Sequence, residues 1–536
     1  MKQTAPANAS KGSLSINLFG PGMTALHKIG LAGLWMTLKA MEKEERAKTR
    51  VQKAGGSWDC TPSSVSLHWD RTPGAFFKVL FEESFKIDKN GLVWFRALDH
   101  SHHSVLLQEA ILGSFLQHPD ATWKLPETTR DFGTDGEPNV RSYRPLGWYY
   151  LQGPKPSEKK KAAASAYELL CDPSQALKSV IPIKGFQLPG GGKRHEAHEE
   201  TELNDNPHRA LCLFYAPVGA IYFQVVRRTS GVRPSCAIVL PEVRNLESYA
   251  AGRASFLRHG VQQLQVGGTA EAGLRALTEL QAAGVLEDVD AAFCRVISFG
   301  TISWAAQQKT RVNLMTVRAS SLDALRIYAY CLKVLPVPRL VRPEKGNPFW
   351  DVSQVPDLIA QNVSEGRKWW EGFANFVTDQ ERRDHIFGYV KDRRTKKLIR
   401  TYSGEKGGLD KMVENKSVFP EGPERTFVLA CQEALRRHMG RKFGRPGRAD
   451  WGNEFEKVRV SIARCKNLAS LRDTITDFWS RGGSLQKGDD SLLKADASWW
   501  QEVLLLLDEK NWRKAKDLAL LALASYPGST TEQEPD

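Results

Sequence analysis

Asp99-His100-Ser101-His102-His103, with three imidazoles in four residues, is the best metal or nuclease candidate in this sequence. Clustered imidazoles can ligate a divalent cation and a carboxylate can orient them, which is the equipment of a metal-dependent nuclease. Against that use, strand alternation would send His100 and His102 to one face and His103 to the other. No acidic partner cluster is evident in the sequence, so a structural or solvent-exposed role is the stronger reading. Gly190-Gly191-Gly192-Lys193-Arg194-His195 has the composition of a phosphate-cradling loop, because glycine permits close backbone approach while Lys193 and Arg194 supply charge. It lacks the Gly-x-x-x-x-Gly-Lys-Ser/Thr spacing of a nucleotide-hydrolysing loop. Two readings stand: a plain flexible loop, or one that contacts nucleic acid. Residues 301–311 join two expected strands with polar and basic side chains. Ser303 and Gln307 can pair with base edges or wedge a duplex step, with Lys309 and Arg311 on phosphate, and an ordinary hairpin loop is the alternative. The Gly-x-Ser-x-Gly, His-Glu-x-x-His and Gly-x-Gly-x-x-Gly signatures are absent. A binding protein without a catalytic site or cofactor is expected.

The charge points the same way. Of a formal +14, the segment 381–448 contributes +9, from 18 Lys and Arg against 9 Asp and Glu. One centre holds Lys391, Arg393, Arg394, Lys396, Lys397 and Arg400, and the other Arg436, Arg437, Arg441, Lys442, Arg445 and Arg448. The bland account is a solvated face with cations at a helix C-terminus. The local, Arg-rich excess favours a track for a phosphate backbone, since guanidinium forks onto phosphate where ammonium does not.

These groups need a scaffold. At 536 residues the chain exceeds one ordinary hydrophobic core, and 15 Trp with 23 Phe exclude wholesale disorder. Pro21, His27 and Lys28 interrupt the apolar run 18–38, which reads as a buried helix rather than a signal peptide or membrane span. Eight cysteines without a Cys-x-x-Cys pair signal neither zinc nor a disulfide framework and suit a reducing cytosol. Alternation at Val65, Leu67 and Trp69 predicts a strand over 64–69, followed by a helix over 74–84. The Asp88-Lys89-Asn90-Gly91 turn then leads into a strand over 92–97. Residues 153–162 and 188–205 read as surface loops. Residues 210–226 and 236–241 read as strands, 246–264 and 270–283 as helices, and 293–304 with 310–317 as a strand pair. Beyond residue 345 the texture turns helical. Ile359, Val363, Trp370, Phe373 and Val377 trace one helical stripe, and apolar spacing such as Phe427, Cys431, Leu435, Met439 recurs to Ala522, predicting a bundle of antiparallel neighbours. The expectation is therefore α+β: a mixed region over 1–345, a helical and basic linker over 346–411, and a helical bundle over 412–536.

Leu18-Phe19-Gly20-Pro21-Gly22-Met23-Thr24-Ala25-Leu26-His27-Lys28-Ile29-Gly30-Leu31-Ala32-Gly33-Leu34 resembles the N-terminus of the Myxococcus-type (DevT-like) large subunit of type I, I-B-like, CRISPR Cascade complexes. Ile87-Asp88-Lys89-Asn90-Gly91-Leu92, Leu188-Pro189-Gly190 with Arg194-His195, Ala463-Arg464-Cys465-Lys466-Asn467-Leu468, and Leu471-Arg472-Asp473 add to the likeness. The resemblance implies a subunit at the foot of the complex, by the 5′ handle of the guide (crRNA). There it inspects duplex DNA for the short PAM and helps split the strands, while base pairing reads the sequence. The helical bundle would lie along the displaced strand, with the basic segment at its start.

The family pattern does not fix the PAM readers. Lys193, Arg194, His195, Gln307, Lys309 and Arg311 are the candidates from local chemistry, and Arg393, Arg394, Lys396, Lys397, Arg436, Arg437, Arg441, Lys442, Arg445 and Arg448 are those for the strand backbone. The resemblance also implies Cascade backbone and handle-binding subunits as partners, a helicase-nuclease or transposition proteins downstream, and no membrane. Related large subunits often yield a small subunit from an internal start. Lys406-Gly407-Gly408 can be encoded by a ribosome-binding purine run shortly before Met412, so two readings stand: an internal start that yields a fragment 412–536, or an ordinary Met after a glycine linker. The competing functions are a nuclease using His100–His103 and a basic structural adaptor.

Overall fold

Strand alternation shapes the N-terminal end. Leu14 and Ile16 of β1 (Gly12–Asn17) turn inward and Ser13 and Ser15 outward, while β2 (Gly56–Cys60) and β3 (Ser64–Trp69) complete an antiparallel sheet in the order β1-β3-β2. Leu14 stands opposite Leu67 and Ile16 opposite Val65, so one register buries both strands on the same face. Farther on, Gly91 closes the expected turn at φ +76°, and the Asp88 carboxylate accepts the Asn90 and Leu92 amides, each at 2.8 Å. The computed structural model describes residues 11–98, 104–132, 140–153, 164–183, 203–226, 235–256, 260–286, 292–303, 308–341, 349–387, 389–391, 398–400, 404–443, 451–481 and 503–526. The fold is α+β, in two units: residues 1–227 with 233–319, and residues 320–536 with 228–232.

The first unit is organised by two helices that almost touch. α1 (Ala25–Glu42) buries Leu26, Ile29, Leu31, Leu34, Leu38 and Met41, and among the described residues no helix is long and apolar enough to cross a membrane. Its partner, α2 (Pro207–Gly219), corrects the strand expected over 210–226, of which only β4 (Ile221–Val225) is strand. Every residue from Ala210 to Gly219 is buried, so no polar face reveals the helical period. The start signal is local: Asn206 Oδ1 accepts the Arg209 amide at 2.9 Å and Pro207 sits in the first turn. Where the helices cross, a Cβ on Gly30 would lie 1.8 Å from the Cys212 carbonyl oxygen and one on Gly33 2.2 Å from that of Tyr215. Only hydrogen fits at these points.

β4 joins a five-stranded sheet with β5 (Ser235–Pro241), β6 (Gln265–Val266), β7 (Phe293–Ser303) and β8 (Gln308–Arg318), in the order β6-β4-β5-β7-β8. All neighbours are antiparallel except β4 and β6. α3 (Thr269–Ala282) covers one face, with Gly273 pressed against Val296 and Val317. The helix expected over 246–264 runs only from Leu246 to Ser255. The Ser255 hydroxyl bonds back to the Gly252 carbonyl at 2.6 Å, and a separate single turn spans Val261–Leu264.

The second unit is mainly helical. The stripe 359–377 is buried as expected, but not as one helix. α4 (Val355–Ser364) ends before Gly366 at φ +72°, and α5 (Phe373–Phe376) begins after Gly372 at φ +78°. The buried Asn362 amide donates to the Trp369 and Glu371 carbonyls at 2.9 and 2.7 Å and holds the intervening turn in place. α6 (Gly404–Glu414), α7 (Pro423–Phe443), α8 (Trp451–Arg464) and α9 (Leu468–Arg481) follow. The last helix, α10 (Trp512–Ser525), packs against all four of these and α5, burying Ala515 and the whole run 517–525. Two short hairpins, Arg339–Val341 with Phe349–Asp351 and Tyr389–Lys391 with Leu398–Arg400, interrupt the helical texture.

Candidate nucleic-acid interface

β7 and β8 are far longer than their neighbours need. β5 pairs with β7 from Cys294 to Phe299. Past that point Gly300, Thr301, Ile302 and Ser303 pair only with Arg311, Thr310, Lys309 and Gln308 among the described residues. Four residue pairs rising 3.4 Å each carry the hairpin about 14 Å past its last described pairing with β5. Lys309 and Arg311 stand on this free part of β8, at register positions opposite Ile302 and Gly300. Gln307, with the rest of 304–307, lies outside the described residues. Toward the base, Arg318 pairs with Phe293 and Arg295 with Thr316.

The basic segment divides unevenly. Arg436 and Arg437 lie on α7 and share one carboxylate: Glu433 accepts from Arg436 at 2.7 Å and from Arg437 at 2.6 Å. Burial raises the Glu433 carboxyl, but the two guanidinium bonds outweigh it and hold it below the usual range. Arg437 is therefore committed to an ion pair, whereas the Arg436 side chain is 63% exposed. Arg441 and Lys442 occupy the last turn of α7. Arg393, Arg394, Lys396, Lys397, Arg445 and Arg448 lie outside the described residues, as do Lys193, Arg194, His195 and the run 99–103. Among the described residues no three His, Cys, Asp or Glu side chains form a metal-holding group, and all eight cysteines are free thiols.

A third arrangement was not anticipated from the sequence. His27, three residues after Thr24, takes the place Glu or Gln holds in a capping box. Its Nδ1 accepts from the Thr24 hydroxyl at 2.8 Å and the Thr24 amide at 3.2 Å, while Nε2 donates to Asp205 Oδ2 at 3.1 Å. Burial lowers the imidazole's pKa by more than Asp205 raises it, so the ring is neutral at pH 7. Arg209 completes the chain, donating from Nε to Asp205 Oδ1 at 2.6 Å and from a terminal nitrogen to the Pro21 carbonyl at 3.3 Å. The glycine-proline loop ahead of α1 is thus fastened to α2 from both sides. The Thr24-to-His27 spacing and the Asn206-Pro207 start were visible in the sequence. The pairing of His27 with Asp205, 178 positions away, was not.

Residues 15–214 match the family model described as the DevT N-terminal domain, and residues 415–536 match the DevT C-terminal domain. The chain is also 26% identical to a Myxococcus xanthus (strain DK1622) protein described as "CRISPR-associated protein Cas8a1/Csx13". That alignment covers 97% of this chain and 89% of the relative.

Proposed function

The chain belongs to the DevT family, and from that premise we propose that it is the non-catalytic large subunit of a type I CRISPR effector in the cytoplasm. In this reading it holds the guide's 5′ handle, tests duplex DNA for the PAM and opens the strands, while guide pairing reads the target. The projecting hairpin of β7 and β8 carries the proposal. It is a narrow two-stranded ribbon of the size a major groove admits, with Lys309 and Arg311 on its free part for phosphate and Gln307 at its tip for a base edge or a duplex step. The basic segment 381–448 takes the displaced strand by charge, with Arg436, Lys411 and Lys416 among its exposed described members. Interference through a helicase-nuclease and transposon targeting are both compatible with this role.

The small subunit is proposed to come from the same gene. Met412 lies in the last turn of α6, and a fragment starting there keeps α7, α8, α9 and α10, which pack on one another. Co-expression with the neighbouring genes tests both ideas. A bound guide RNA, backbone subunits and a fragment beginning at Met412 are expected; purification of the chain alone without RNA would sink the assignment. The hairpin is tested on the loaded complex with a duplex library randomised beside the target. Deleting 304–307 or replacing Lys309 and Arg311 with Ala is expected to abolish selection of a short flanking motif. Unchanged selection would place PAM reading elsewhere.

A further inference from the structure

Phe19 is 61% exposed, although both of its sequence neighbours are anchored. Leu18 is fully buried and its amide donates to the Ser63 carbonyl at 2.8 Å. The Phe19 amide donates to Asn17 Oδ1 at 2.8 Å, Gly20 to the Asn17 carbonyl at 3.0 Å, and Met23 to the Gly20 carbonyl at 3.3 Å. Together with the His27–Asp205–Arg209 fastening, these bonds fix the backbone on both sides of the ring. Lys28 Nζ sits 5.8 Å from the ring centroid and is itself held by Glu242. A large aromatic kept rigidly in water forgoes the burial that normally stabilises such a side chain.

The surroundings indicate what the open surface suits. The loop from Asn17 to Thr24 otherwise carries Gly20, Pro21 and Gly22, with no second large exposed apolar residue. Protein partners engage contiguous apolar patches with several anchors. A nucleobase needs only one open π-face, and every base can supply the other half of the stack. We infer that Phe19 is a stacking platform for an unpaired nucleobase, with Lys28 beside it, at a second nucleic-acid site separate from the hairpin. The separation is geometric. Lys28 pairs with Glu242, whose amide bonds the Phe293 carbonyl at 3.1 Å, so this loop lies by the first residue of β7. The hairpin tip follows Ser303, the last residue of the same strand, about 33 Å away at 3.3 Å per residue.

The inference rests on the nucleic-acid-binding reading above. Its test uses the full chain with single-stranded RNA and single-stranded DNA carrying 5-iodouracil, followed by ultraviolet crosslinking and tryptic mapping. The platform lies in the tryptic peptide Gly12–Lys28. Crosslinking to that peptide is expected. Phe19→Leu should weaken strand binding by roughly 5- to 150-fold, the effect of losing one base–aromatic stack, and Phe19→Trp should restore it. An RNA-only crosslink assigns the base to the guide and a DNA-only crosslink to the displaced strand. Strand binding that persists in Phe19→Leu, with crosslinks elsewhere, overturns the platform and leaves the wider function standing. A chain that binds neither strand overturns both.

Discussion

Two buried helices do comparable jobs in opposite ways. In the first unit, α1 meets α2 through glycines, so that main chain rests on main chain and nothing larger than hydrogen fits at Gly30, Gly33 or Gly219. In the second, α10 packs against five helices through side chains, and its one buried acid, Asp517, reaches out to accept the Gly372 amide at 2.9 Å and the Ala374 amide at 2.8 Å. The first contact is selected by shape and has no room to adjust. The second is selected by apolar area plus one polar clasp, and side chains can shift to absorb change.

That contrast sets the order of expected effects. Gly30→Ala puts a methyl 1.8 Å from a carbonyl oxygen and should destabilise the first unit by more than about 3 kcal/mol, read as a loss of its chemical unfolding transition. An unchanged midpoint would mean the helices can separate and the contrast is wrong. Asp517→Ala strips the acceptor from two amides and should cost the second unit about 2 kcal/mol in the same measurement. A loss as large as that of Gly30→Ala would make the clasp, and not apolar area, the principal tie. The smallest effect is acidification. The folded His27 pKa lies below its ordinary 6.5, so as pH falls through 6.5 the unfolded chain takes up the proton first. Stability from the neutral ring is present above pH 6.5 and declines below it. His27→Gln keeps a capping-box acceptor without a titrating ring and should flatten the slope of melting temperature between pH 7 and 5.5. An unaltered slope would assign the acid sensitivity to other groups.

Local signals made the strand at Ser64–Trp69, the Asp88–Gly91 turn and the long hairpin legible, because alternation and turn chemistry depend only on neighbours. α2 failed for the opposite reason: full burial erases the polar face, and only Asn206-Pro207 marked the helix. The break between α4 and α5 failed because a buried stripe survives two left-handed glycines that the spacing alone does not weigh. Of the proposed site, Lys309 and Arg311 were nominated from residue type, and the strand register puts both on β8. The shared carboxylate under Arg436 and Arg437 sits three and four residues back on one helix, a spacing the charge count ignored. Phe19 passed as part of an apolar motif, since its exposure arises from loops that the sequence does not bring together.

The position of α10 also constrains how the second unit comes into being. A helix that five others enclose is made after all of them, so α5 to α9 emerge from the ribosome with their shared surface uncovered. At translation speeds of roughly 5–20 residues per second, the segment from α6 to α10 spends several seconds as an open cup. Premature stops between residues 320 and 512 would release a chain whose first unit is complete and whose second cannot close, a ready substrate for chaperones and proteases.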